Sequence, residues 1–251
     1  MPIRTILAGA LLALIAAPCL SREAYPAIDD IEWTYGEETG SRSDRPSFRL
    51  SRDGHMSSFD GTEAETFMGK RVTASLSSPG EAVSFTVWRE AGTIACRGTV
   101  VSVGRASGTC RFDPDQAFAG ELQARELAPE NSDELLVLAL VDARMASVDA
   151  LSREGFAIDE VDTVVALAAL DVTPAFARSL RTAGLAIDDT ENLIAAKAVG
   201  IDAAWLQGMA EAGYADLDAD RAIQMRALDI TPDYARKMSR VMAALGGTET
   251  E

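Results

Sequence analysis

Gly155, Gly184 and Gly213 recur every 29 residues, and the three segments they open can be laid over one another without a gap. Self-similarity at such a period marks small supersecondary units that cannot bury an apolar face alone and must stack to share a core. Each unit reads as two short helices joined by a tight corner. The first helix carries Val164, Val165 and Leu170, answered by Leu193, Ile194 and Val199 and then by Ala222, Ile223 and Leu228, one apolar stripe at helical spacing. The corners are Asp171-Val172-Thr173-Pro174, Gly200-Ile201-Asp202-Ala203 and Asp229-Ile230-Thr231-Pro232. In them Thr or Asp can cap, and Pro suits the first helical position. The second helix presents Phe176 and Leu180, Trp205 and Met209, Tyr234 and Met238. In the first two units it runs to the next glycine, the residue best suited to a left-handed stop.

A weaker unit precedes these. Leu136, Val141, Leu151 and Gly155 lie 29 residues before Val165, Leu170, Leu180 and Gly184, but the corner Asp142-Ala143-Arg144-Met145 lacks the Thr-Pro pair. A degraded end unit is expected where an array meets a different neighbour. The aromatic column Phe176, Trp205 and Tyr234 reads as core between units rather than as a stacking ladder for a ligand. Three sets of variable positions lie off the apolar stripe: Ala168, Lys197 and Arg226; Ser179, Gly208 and Lys237; Thr182, Glu211 and Arg240. They are expected to face solvent or a partner, which makes Lys197, Arg226, Lys237, Glu211 and Arg240 the candidate partner-binding residues.

Upstream the period changes. Across residues 28–112, Val83, Phe85 and Val87 alternate with Ser84, Thr86 and Trp88, and Phe48 and Leu50 alternate with Arg49 and Ser51, as in half-buried antiparallel strands. Residues 53–62 are polar and read as a loop holding the lone His55. At Asp113-Pro114 the pattern turns helical, with Asp113 as a cap and the helix running through Phe118 and Leu122 toward Leu127. The expected class is α+β. An exported leader occupies 1–21, an antiparallel β domain 22–112, a linking helix 113–125, a helical-hairpin array 126–245 and a disordered tail 246–251.

The leader reading rests on Arg4, an apolar run over 6–17, and the small-residue exit Pro18-Cys19-Leu20-Ser21. The run is too short to cross a bilayer, and no later segment reaches 18 uncharged apolar residues, so an exported soluble protein is expected, periplasmic or secreted. Cleavage after Cys19 or after Ser21 fits equally, and Pro18 argues against lipidation of Cys19. Two cysteines then remain, Cys96 and Cys110, and a structural disulfide is the expectation in an oxidising compartment. A symmetric hairpin about Gly104-Arg105-Ala106-Ser107 sets Cys110 opposite Val101. A bridge to Cys96 therefore needs an asymmetric loop or a different strand arrangement.

The net charge is −16, and residues 126–251 hold 23 acidic side chains against 10 basic. Such a surface repels phosphate backbones, which excludes nucleic acid as a natural partner. One histidine cannot build a His-rich zinc site. His55 near Asp53, Asp60, Ser57 and Ser58 is the only conceivable triad, without a Gly-x-Ser-x-Gly elbow. Asp216, Asp218 and Asp220 begin like a calcium loop, but Arg221 and Ala227 stand where its glycine and twelfth-position carboxylate belong, so they read as helix-start acids. Gly69-Lys70 lacks the spacing of a phosphate-binding loop. No cofactor is expected.

The run Arg89-Glu90-Ala91-Gly92-Thr93-Ile94-Ala95-Cys96-Arg97-Gly98, continued by Gly108-Thr109-Cys110-Arg111-Phe112, and the corner Leu170-Asp171-Val172-Thr173-Pro174 with Phe176 resemble a bacterial extracytoplasmic module. It forms the tail of membrane metallopeptidases related to the β-lactam-sensing regulator of β-lactamase expression, and also stands alone in secreted proteins. The resemblance spans about residues 66–240. It implies a sensory or protein-binding role with an envelope or periplasmic protein as partner. The His-Glu-x-x-His and membrane helices of those peptidases are missing from the sequence, and Cys110 replaces an apolar residue. The alternative expectation is a small-ligand-binding protein or hydrolase with a cleft near His55 and Trp88.

Overall fold

The computed structural model describes residues 25–37 and 46–246, with side chains to 241. The expected leader and the tail beyond residue 246 lie outside the described residues. The N-terminal half contains β1 (Ile28–Gly36), β2 (Ser47–Arg52), β3 (His55–Asp60), two short helices α1 (Thr62–Met68) and α2 (Lys70–Ala74), then β4 (Ala82–Arg89), β5 (Gly92–Ser102) and β6 (Arg105–Pro114). The strands form one antiparallel sheet in the order β3-β2-β1-β6-β5-β4. Alternation points Phe48, Leu50, Val83, Phe85, Val87, Ile94 and Phe112 inward, all buried. The sheet curls: the rings of Phe48 in β2 and Phe85 in β4 lie 5.8 Å apart. Helix α1 touches both edge strands and lays Phe67 against Phe59 at 4.7 Å.

Three local readings of the sequence are corrected here. Residues 53–62 are not one loop. Asp53 and Gly54, with φ of 50° and 83°, make a two-residue turn that pairs Arg52 with His55, and His55 begins a strand. The segment read wholly as β structure also contains α1 and α2. The helix cap after the sheet is Asp115, whose carboxylate accepts from Ala117 N–H at 2.8 Å and Phe118 N–H at 2.9 Å, while Pro114 closes β6.

The cysteine geometry resolves through the hairpin turn. The β5–β6 turn lies at Val103-Gly104, pairing Ser102 with Arg105, and the register shifts between Val100 and Ser102, which leaves Val101 bulged. Together the earlier turn and the bulge set Cys96 opposite Cys110, with their Cα atoms 4.0 Å apart in a disulfide. Just beyond it Gly98 faces Gly108. A Cβ on Gly108 would sit 2.0 Å from the Arg97 carbonyl oxygen. The buried Trp33 covers this close approach and donates from Nε1 to the same carbonyl at 3.2 Å.

After α3 (Gln116–Gln123) come four helix pairs: α4 (Ser132–Leu140) with α5 (Met145–Arg153), α6 (Val161–Ala169) with α7 (Pro174–Thr182), α8 (Thr190–Ala198) with α9 (Ala203–Glu211), and α10 (Ala219–Ala227) with α11 (Pro232–Gly246). Both the first and the second helices start at strict intervals of 29. First helices pack on first helices and second on second, α6 and α7 meeting at 75°. The corner residues Asp142, Asp171, Gly200 and Asp229 all take positive φ, from 49° to 76°, and so do Gly155, Gly184 and Gly213 at 95° to 97°. The period reaches further back than the helical pattern of the sequence implied. Gln116 opens α3 29 residues before Met145 opens α5, and Glu126, at φ 63°, stands 29 before Gly155. Helix α3 is therefore the second half of a truncated unit.

The hydrophobic core divides inside the array, not at the sheet. One cluster joins the sheet to α3, α4, most of α5 and Val164; the other runs from Leu151 through Leu180, Leu193 and Met209 to Ala235. The first helix pair thus belongs structurally to the β domain. No single described helix is long and apolar enough to cross a membrane.

Candidate functional site

The variable positions separate into two kinds. Lys197 lies with Nζ 5.0 Å from the Phe176 ring centroid, a cation–π contact between consecutive units. Arg226, one unit later, donates from Nε to the Gly200 carbonyl at 3.2 Å and from Nη1 to Asp229 at 3.3 Å. Both are half-buried and brace joints between consecutive units. Lys237 and Arg240 are exposed on α11 and pair with no other group among the described residues. Glu211 is exposed and accepts from Gln207 Nε2 at 3.2 Å.

The aromatic column behaves as core only where a unit follows. Trp205 is buried and donates from Nε1 to the Ile230 carbonyl at 3.0 Å, and Phe176 is half-buried beneath Lys197. Tyr234 is 53% exposed, because no described unit packs over it. The same holds along the end of the array. Leu122, Leu151, Leu180 and Met209 are at most 1% exposed, whereas Met238 at the equivalent position is 39% exposed. Leu228 and Val241 are bare as well. Helices α10 and α11 carry five basic side chains against two acidic, the reverse of the array as a whole. The open end therefore combines an apolar patch with a positive rim.

The joints also hold ion pairs that the sequence reading did not identify. Arg125 grips Asp149 with two hydrogen bonds, 2.8 Å from Nε and 2.9 Å from Nη2. One unit on, Glu154 and Arg178 occupy the same two positions with the charges exchanged, and they too are paired. Both pairs are 24 residues apart, a spacing that would have emerged by aligning charges as well as apolar residues. The hydrogen bonds from Arg125 hold the Asp149 carboxyl below its ordinary range, against a smaller opposing effect of burial.

The alternative cleft does not assemble. His55 and Trp88 stand on opposite edge strands of the sheet. His55 lines a groove of about 590 Å³ with Leu50, Arg52 and Met56 on one side and Leu136 and Val137 of α4 on the other; Trp88, bare on β4, is not part of it. Arg52 crosses the groove mouth to Asp133. Among the described residues His55 forms no hydrogen bond or ion pair with Asp53, Asp60, Ser57 or Ser58. Asp218 caps α10, accepting from Arg221 N–H at 2.7 Å, and no cluster of metal-ligating side chains occurs among the described residues. No protein-family model, curated protein or solved structure matches the chain.

Proposed function

We propose that this is an exported, non-enzymatic protein-binding or sensory module of the bacterial envelope, which engages a periplasmic or envelope partner through the open end of its repeat array. The observation that carries the reading is the bareness of Tyr234 and Met238 at the positions where the preceding unit buries Trp205 and Met209. A contiguous apolar patch with a charged rim is typical of interaction sites, and solenoids bind through such variable faces. The positive rim of Lys237 and Arg240 favours an acidic partner surface. The Cys96–Cys110 bridge fits an oxidising compartment, and the resemblance to extracytoplasmic sensor tails points the same way.

The test is capture from the native cell envelope by the wild type and by two variants, Tyr234→Ser/Met238→Ser and Lys237→Glu/Arg240→Glu. A stoichiometric partner lost by both variants at unchanged melting temperature supports the reading; a partner retained by both, or none at all, overturns it. A second reading, small-ligand binding, draws on the groove at His55. It predicts that His55→Ala abolishes an activity or ligand response that the open-end variants keep.

A further inference from the structure

The joint between α4–α5 and α6–α7 lacks two side chains that later joints possess. Ser147 stands where Phe176, Trp205 and Tyr234 stand in their units, and Ala168 where Lys197 and Arg226 stand. A cleft of about 300 Å³ opens there. Its floor is apolar and buried, made by Val148, Leu151, Val164, Leu167 and Val172. Its rim is polar, with Asp142, Arg144, Asp171 and Thr173.

Two units further on, the equivalent space holds the Arg226 side chain, bonded to the Gly200 carbonyl and the Asp229 carboxylate. Residues 142 and 171 are the counterparts of 200 and 229, 58 positions earlier. The carboxylate of Asp142 is taken, by Arg144 at 2.6 Å and Arg89 at 3.4 Å. The Asp171 carboxylate has no hydrogen bond or ion pair among the described residues. The cleft thus retains the acceptors of the later joint without its cation.

We propose that this cleft binds the arginine side chain of a partner polypeptide, in the position that Arg226 fills within the chain two joints later. A carboxylate and a carbonyl suit the forked donors of a guanidinium, and the apolar floor takes its methylene stem. The inference concerns a different joint from the open end and stands or falls independently of it. Asp171 is exposed, so the charge contribution is modest and weakened by salt. One side chain alone should bind at roughly millimolar concentration.

The experiment titrates the protein, methyl-labelled for NMR, with acetyl-Ala-Arg-Ala-amide and with the same peptide carrying citrulline. Saturable shifts of the Val148, Leu167 and Val172 methyls are expected, with the citrulline peptide at least tenfold weaker. Asp171→Asn, which tolerates the left-handed backbone at this corner, should weaken binding at least fivefold. Ala168→Arg should occupy the cleft from within and abolish binding. Absence of saturable shifts, equal binding of citrulline, or undiminished binding by either folded variant overturns the proposal.

Discussion

A carboxylate oxygen of Glu90, in the turn between β4 and β5, accepts the backbone N–H of Met145 at the start of α5 at 3.0 Å. Thr173 and Asp202 cap their own second helices, as does Thr231, but Arg144 at the equivalent position makes no side-chain cap bond. The β domain thus supplies the cap that the first unit lacks, and the negative charge also suits the helix dipole. Glu90→Ala should cost about 1 kcal/mol in urea unfolding. Adding Arg144→Thr to that variant should recover part of the loss by restoring a local cap. Unchanged stability in Glu90→Ala would show that the contact contributes nothing.

The disulfide pins β5 to β6, the hairpin that follows the Glu90 turn. It closes a short loop, with a sequence separation of 14. Replacing both Cys96 and Cys110 by Ser should therefore cost on the order of 3 kcal/mol. Thermal melts of the wild type with and without reductant should bracket the same difference. Coincident melts would mean that the bridge does not stabilise the fold.

The inverted pairs Arg125–Asp149 and Glu154–Arg178 allow an exchange experiment. Arg125→Glu alone should destabilise the first joint, and adding Asp149→Arg should restore it. Both side chains are part-exposed, so the pair itself is worth about 0.2–1 kcal/mol.

The same pair sets a pH dependence. The Asp149 pKa is lowered from 3.8, so its contribution is present above that value and is lost as pH falls through the depressed one. Asp149→Asn should flatten that part of the acid limb in a plot of melting temperature against pH. An identical acid limb would exclude Asp149 as a contributor.

The braces and the free cations should separate cleanly. Arg226→Ala is expected to cost about 1 kcal/mol and Lys197→Ala about 0.5–1 kcal/mol, through lost hydrogen bonds and cation–π contact. Lys237→Ala and Arg240→Ala should stay within about 0.5 kcal/mol of wild type. Urea unfolding of the four variants gives the comparison; equal losses in all four would place Lys237 and Arg240 in structural roles too.

The unit boundaries were legible because the corner chemistry is local: Thr173 before Pro174 and Thr231 before Pro232 announce caps without any knowledge of neighbours. The β hairpins were less so. The polar composition of residues 53–62 hides the Asp53-Gly54 turn, although Asp-Gly is a strong hairpin signal, and the pairing of Cys96 with Cys110 hinges on the bulged Val101, which no alternation pattern marks. The roles of Lys197 and Arg226 were hidden for a different reason. A long cationic side chain off the apolar stripe looks solvent-facing in one unit, and its ring or carbonyl partner belongs to the unit before. What the fold reuses from unit to unit was readable, and what it does once, such as the Glu90 cap, was not.

The division of the core inside the array makes its unfolding directional. The first helix pair shares its buried cluster with the sheet, while among the described residues α10 and α11 are packed on one side only. Opening α10 and α11 breaks a single interface, whereas releasing α4 and α5 also disrupts the β core. Amide hydrogen exchange should therefore run as a gradient, fastest in α10 and α11, slower through α8 and α6, and slowest in β5 and β6. Melting of the described units runs inward from α10 and α11, and the sheet is where it stops.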